Sequence, residues 1–424
     1  MRQVLAAFEA VFHALMLALI MGALIPLWRD VSGQPINPYQ GDSLTRGLLV
    51  IGYGLVLLML LRFPKRFIVS VFRSPVLWLL LIWASLSVVW STTPEVTLRK
   101  VVAVSLTSFY GVYLALRYSS REFLRLLGFT FFMLLGVSLL VVFLFPEWGL
   151  MGYPHEGAWR GVFVHKNVLG RFAAFGILIF LALLIDHKSA RLLWLVGLFL
   201  SGGLLLESYS VTSWVLGGTT LLLAIGLKVT TPFRRCWPLL LFLALFVVGG
   251  LLMLLASSYE LLLELLGKDV TLTGRIPLWQ TLIPFIQERP WNGYGLGGFW
   301  LGWEGPSALV WNQVGWDPPH GHNGYLDLWL DLGFVGLFLG LWLLLSLLFR
   351  SVLQYLKDGF SATTLFMLGL SVFLAVFNLA ESNFLRPNNF YWLLMVWAYV
   401  SLGLMSSKKG VSFDSRNRMA SFSE

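Results

Sequence analysis

The chain is short of charge, of cysteine and of strand signals, and each shortage excludes a class. Only 12% of its 424 residues are charged, whereas 58% are hydrophobic. A water-soluble fold of this length has no means of covering so much apolar surface. The strict alternation expected of outer-membrane strands is absent, which argues against a β-barrel. The one cysteine, Cys236, excludes an intrachain disulfide and a multi-cysteine metal site. Beside Arg234 and Arg235, it reads as a tolerated thiol near a membrane surface. There is no internal repeat. The first apolar run, 4–28, lacks an A-x-A cleavage site and reads as a retained helix, not a signal peptide. A net charge of +9 in such a chain reflects basic cytoplasmic loops and implies no nucleic acid.

What is present is a series of apolar runs. The expected fold class is all-α: a polytopic membrane protein with about twelve transmembrane helices. They are expected near residues 4–28, 46–62, 75–91, 99–117, 123–145, 167–186, 191–206, 212–228, 237–256, 324–349, 361–380 and 389–406. Residues 1–406 form a single membrane domain, and 407–424 a polar cytoplasmic tail expected to be disordered. Alternate loops carry Arg62, Lys65, Arg66 and Arg73; Arg117, Arg121 and Arg125; Lys188 and Arg191; Lys228, Arg234 and Arg235; Arg350 and Lys357. With Arg2 and the tail's Lys408, Lys409, Arg416 and Arg418, that side holds 19 of the 30 basic residues. It is expected to be cytoplasmic, with both termini inside.

The longest connection, 257–323, lies between spans 9 and 10 on the outer side, with six acidic and three basic residues. Its richness in tryptophan, leucine and glycine is unlike a disordered linker. Within it, "TLTGRIPLWQTLIPFIQERP" predicts an amphipathic helix. Thr273 or Gly274 caps it, Pro277 falls in its first turn, and Arg289-Pro290 ends it. Leu278, Leu282, Ile283 and Ile286 give it an apolar face suited to lying along the membrane. "NGYGLGGFW", 292–300, lacks the preceding strand and Walker lysine of a nucleotide loop. It reads as a tight turn packing aromatics against the membrane.

Two outer-side stretches carry chemistry. In "HEGAWRGVFVHKNVLGRF", 155–172, Arg160, His165 and Lys166 gather before the sixth span. Arg171 falls one turn inside it, a depth where arginine faces protein or a water-filled cavity unless it snorkels. Arg275 stands at the start of the loop helix, where free N–H groups and the dipole favour an anion, phosphate above all. In "DPPHGHNGYLDLWLDLGF", 317–334, His320 and His322 allow three readings: a metal site, a structural turn or proton transfer. Two histidines without a clear third ligand make a weak metal signal, with Asp317, Asp327 and Asp331 as oxygen donors. A neutral histidine accepts a proton near physiological pH. Asn323 is placed to cap the helix that follows and to hold His322 at its entrance, whereas Gly321 separates His320 from that anchor.

"RGVFVHKN", "TGRIPLWQTLIPFIQERPWNGYGLGGFW" and "HGHNGYLDLWLDLGFVGLFLG" together resemble the bacterial O-antigen ligase and O-antigen polymerase superfamily. The resemblance covers most of the chain, with its specific motifs between residues 160 and 340. It implies a metal-independent glycosyltransferase of the bacterial inner membrane, with no cofactor and with its active site facing the periplasm. The donor is a glycan on undecaprenyl diphosphate. The acceptor is the lipid A–core oligosaccharide for a ligase, the reading placed first, or a second lipid-linked glycan for an O-antigen or exopolysaccharide polymerase. The family's essential histidine matches His322. Its important arginines match Arg160 and Arg275, with Lys166 and Arg171 also toward the diphosphate and His165, Asn323, His320 and Arg386 as supporting residues. The extra His320 departs from the pattern. A twelve-span transporter or lipid flippase is the rival class. It calls for broken helices and polar sites near the midplane, often in related halves, whereas here the polar groups cluster outside.

Overall fold

The computed structural model describes residues 2–23, 25, 43–186, 190–236 and 274–405. Among these the chain is all helical, without a strand. In order they form α1 (Arg2–Ile20), α2 (Ser43–Leu60), α3 (Pro64–Arg73), α4 (Pro75–Leu86), α5 (Pro94–Arg117), α6 (Ser120–Leu144), α7 (Lys166–Ile185), α8 (Arg191–Glu207), α9 (Val211–Thr230), α10 (Arg275–Glu288), α11 (Ser307–Val314), α12 (Gly324–Asp358), α13 (Ala362–Phe377) and α14 (Phe390–Met405). Local chemistry sets many of the starts. Pro64, Pro75 and Pro94 open α3, α4 and α5, where a missing N–H costs nothing. Ser119 with Glu122, and Ser361 with Thr364, close reciprocal capping boxes on α6 and α13.

Eleven of the expected apolar runs coincide with helices. The ninth, 237–256, the start of the outer loop and the tail 407–424 lie outside the described residues. A helix is a weaker statement than a span. Five helices are long and apolar enough to cross a membrane: α2, α6, α7, α9 with its extension, and α12. The count is six if α3 and α4, bent by 89° at Ser74, form one broken span. The apolar stretch of α1 and the whole of α13 and α14 are shorter than the roughly 20 residues a bilayer calls for. Several boundaries differ from expectation. The first helix stops at Ile20, the run from 75 stops at Leu86, and α12 continues to Asp358 across a non-helical Gly333.

The core sits around α7, which packs against α6, α8, α9 and α13. Phe131, Phe172, Phe175, Phe390 and Tyr391 interlock at its centre. On another face α5 lies against α14, where Gly111 admits the close approach: a Cβ there would stand 2.9 Å from the Leu393 carbonyl oxygen. Large apolar side chains such as Phe72, Phe199 and Leu222 point outward. An apolar core with an apolar exterior is the pattern of a multi-pass membrane protein.

The connection before α12 builds a second, smaller core. α10 forms where expected, starting after Gly274, and all of its expected apolar face except the exposed Ile283 turns onto protein. Leu278, Leu282 and Ile286 pack against Tyr294, Phe299, Trp300, Val310 and Trp311. The glycine-rich turn is corrected in the same way, since its aromatics face this protein core. Gly293 has positive φ and touches the backbone of Leu330 and Asp331, while the break at Gly333 makes room for Trp291 and Asn292. Phe334 N then donates to Pro290 O at 2.7 Å. The loop is thus threaded into a notch in α12.

Candidate active site

The histidine turn is held from below by Asn323 and Asp327. Asn323 Oδ1 accepts from Tyr325 N at 3.0 Å and Leu326 N at 3.2 Å, the cap expected from sequence. One turn into α12, the buried Asp327 carboxylate accepts from Trp300 Nε1 at 2.8 Å and from Gly321 N at 3.0 and 3.1 Å. It also accepts from the Ser382 hydroxyl and from Arg386 at 2.9 Å. One carboxylate therefore ties together the outer loop, the histidine turn and the connection between α13 and α14. Its oxygens are committed to these donors, which leaves it unsuited to the metal reading that the sequence made weak. Gly324, whose N–H donates to Asn378 O at 2.8 Å, brings the connection close. Trp279 Nε1 donates to Gly321 O at 2.8 Å and fixes α10 to the same turn.

Glu381 is the residue that sequence reasoning missed. Its Oε1 lies 3.5 Å from His322 Nδ1 and 3.7 Å from Arg275, and its Oε2 lies 3.5 Å from His320 Nε2. Burial opposes its charge, but the contact with His322 and the neighbouring His320 and Arg171 hold the carboxyl well below the usual range. A signal was available: Glu381 is the lone acidic residue between Asp358 and Asp414.

The two histidines differ in what their nitrogens do. His320 Nδ1 accepts from His322 N at 3.1 Å, and its Nε2 faces Glu381. Both nitrogens of His320 are thus engaged. Burial pushes its pKa down to about 4, against the opposing pull of Glu381, so it is neutral at neutral pH. His322 holds a left-handed backbone, φ 48°, just before the cap, with its ring 5.8 Å from that of Trp316. Its Nδ1 lies 3.5 Å from Glu381 Oε1, an ion-pair separation at which no hydrogen bond is formed.

A cavity of about 310 Å³ opens beside this cluster, lined by Lys100, Arg171, Trp300, His320, Glu381, Arg386 and neighbours. A second cavity, about 220 Å³, shares Arg171 and Asn389 with it and is otherwise walled largely by apolar groups, among them Ile20, Met21, Val168 and Phe172. The Arg171 guanidinium lies near the Phe172 and Phe377 rings, and its Nε has no hydrogen-bond partner. An amphiphile with an anionic centre matches this pair: apolar on one side, cationic at the junction, polar beyond.

The structure thus brings together Arg275, His320, His322, Asn323, Arg171 and Arg386 around Glu381 and Asp327. It places the others elsewhere. Arg160 is buried, donating from Nε to Trp148 O at 2.9 Å and from its terminal nitrogen to Glu147 O at 3.4 Å. Burial draws its pKa down; like Arg275 and His322 it does not line the cavity, but unlike them it has no contact with Glu381 among the described residues. Lys166 Nζ donates to Tyr209 O at 3.1 Å. His165 caps α7, accepting from Asn167 N at 3.1 Å, and burial with His155 nearby pushes its pKa down to about 4.

The described residues thus form an all-helical fold with a cavity lined by Lys100, Arg171 and Arg386 beside a histidine–carboxylate cluster. Residues 196–341 match the O-antigen ligase family. The chain is also 27% identical over 324 residues to the exopolysaccharide production protein ExoQ of Rhizobium meliloti (strain 1021), covering 72% of each chain. Both similarities agree with the resemblance that the motifs carry to the O-antigen ligase and polymerase superfamily.

Proposed function

We propose that the chain transfers a glycan from a polyprenyl diphosphate to a sugar hydroxyl at the outer face of the membrane. The observation that carries the reading is Glu381 placed between His322, His320 and Arg275 at the edge of a cavity lined by Lys100 and Arg171. In the proposed step the Glu381 carboxylate holds the His322 proton on Nδ1. The lone pair of Nε2 is then free for the acceptor hydroxyl. The hydroxyl oxygen attacks the anomeric carbon, the bond to the diphosphate oxygen breaks, and the lipid diphosphate leaves with the electron pair. The hydroxyl proton passes to Nε2. Arg171, Lys100 and Arg275 stabilise the charge that develops on the leaving oxygen, so no strong acid is needed. A single displacement inverts the anomeric centre. His320, with both nitrogens engaged, positions the turn and does not act as the base.

The acceptor separates two branches. The name of the ExoQ relative favours exopolysaccharide assembly, with a second lipid-linked glycan as acceptor. The family description favours a ligase acting on a lipid A–core acceptor, the branch placed first from sequence. Of the two, the relative aligns over far more of the chain, and the polymerising branch is preferred. The test supplies purified protein with a defined undecaprenyl-diphosphate glycan and either a second such molecule or lipid A–core. Elongated lipid-linked glycan is the expected product. Glycan on lipid A–core alone reverses the branch, and lipid movement without any new glycosidic bond overturns the transferase reading in favour of a flippase.

A further inference from the structure

The sequence offered two histidines without a third ligand. The fold supplies one from a distant connection. The coordinating atoms of His320, His322 and Glu381 all lie within 4.8 Å of one another. The two nitrogen-to-carboxylate separations are 3.5 Å each. Tetrahedral zinc, with Zn–N and Zn–O bonds of about 2.0–2.2 Å, sets ligand atoms roughly 3.4 Å apart. Each histidine thus already stands near that length from one carboxylate oxygen of Glu381, His320 from Oε2 and His322 from Oε1. Two imidazoles and one carboxylate, with room for water in the adjoining cavity, suit a borderline ion such as Zn²⁺ and not Mg²⁺ or Ca²⁺.

We propose that His320, His322 and Glu381 form an inhibitory site for a divalent late transition ion, with zinc as its type. The inhibition, unlike the binding, depends on the reading of His322 as the base. An ion on His322 Nδ1 takes the lone pair there, and the ring proton moves to Nε2. The nitrogen that would accept the hydroxyl proton then carries one already. Two features of the structure oppose binding and make the proposal specific. Arg275, 3.7 Å from Glu381, competes for the same carboxylate oxygen. Coordination through His320 Nε2 places that ring's proton on Nδ1 and costs the hydrogen bond from His322 N. Removing Arg275 therefore strengthens the site, whereas an arginine serving only as scaffold has no such effect.

The probe is the metal alone. Zn²⁺ is titrated into the detergent-solubilised full chain against a chromophoric chelator, and Co²⁺ is added in parallel to read its visible d–d bands. One equivalent of zinc bound by the wild type, lost in His320→Asn and in Glu381→Gln and tightened in Arg275→Ala, is the expected result. Using two ligand variants guards against misfolding of either. Binding unchanged in both variants, or abolished by Cys236→Ser, overturns the site. If zinc binds with the expected ligands but transfer proceeds undiminished at saturation, the site stands and the assignment of His322 as base falls.

Discussion

Replacing Glu381 by glutamine keeps the side chain's shape and removes its charge. His322 Nδ1 and His320 Nε2, each at 3.5 Å, and Arg275 at 3.7 Å lose their shared anion together. A hydrogen bond to a charged group contributes about 1.5–3 kcal/mol. Each 1.36 kcal/mol of barrier is about tenfold in rate. The 3.5 Å contact of His322 with Glu381 is not a formed hydrogen bond in the resting geometry; the bond is expected to close when the ring has taken the acceptor proton and become cationic. Its loss is therefore expected to lower kcat about 10- to 150-fold. Removing the base itself by His322→Ala is expected to cost about 10²–10⁴-fold. The donor KM of the glutamine variant changes less, because Arg171 and Lys100 still line the cavity. The assay is single-turnover transfer at matched concentrations of folded protein, with both single variants and the double. Because Glu381 acts through His322, the double variant is expected to be no slower than His322→Ala. Penalties that multiply in the double variant, or wild-type kcat in Glu381→Gln, would refute the dyad.

The same assay separates the histidines: His322→Ala loses transfer about 10²–10⁴-fold while donor binding survives, whereas His320→Ala keeps far more of its turnover, and the opposite ranking exchanges their roles. Arg275→Ala is expected to weaken donor binding, while Arg160→Ala, which frees the carbonyls of Glu147 and Trp148, lowers thermal stability more than donor affinity; calorimetry and lipid-diphosphate binding on both variants read the difference. His320 has its pKa lowered from 6.5 to about 4, so the unfolded chain binds the extra proton and stability falls as pH drops through that window. His165 shifts the same way, so the diagnostic is a shallower Tm slope from pH 6.5 to 4 in His320→Asn than in the wild type. Single cysteines introduced between residues 274 and 323 should label from the periplasmic side and not from the cytoplasm, and the reverse pattern overturns the assigned orientation.

The fold was legible where local chemistry decides it. Apolar runs, proline starts and serine caps give positions that need no tertiary information, and α10 begins after Gly274 as its sequence requires. Sequence failed where a partner decides. The apolar stripe of α10 has the same spacing whether it faces lipid or protein. What distinguishes the two is the tryptophan-rich segment that follows, folded back over it as a second core. The break at Gly333 is likewise set by Trp291 and Asn292 pressing into α12, a contact across some forty residues.

The site divides along the same line. His322 was legible because its anchor is local: Asn323 is its neighbour in sequence and caps the helix it introduces. Arg275 was legible because a helix start is a local feature. Glu381 was not, because nothing beside it in sequence announces a histidine partner; it reaches the cluster through the connection after α13, which Asp327 holds through Arg386 and Ser382. Arg160 stands apart from the cluster. Its sequence position before α7 suited an anion site, but the carbonyls of Glu147 and Trp148 take its donors first. A lone acidic residue in a long apolar segment is costly to keep unless cations or proton donors share its surroundings. Glu381 meets that condition with Arg275, His320 and His322, and the cost of burying it is what makes these four side chains one unit.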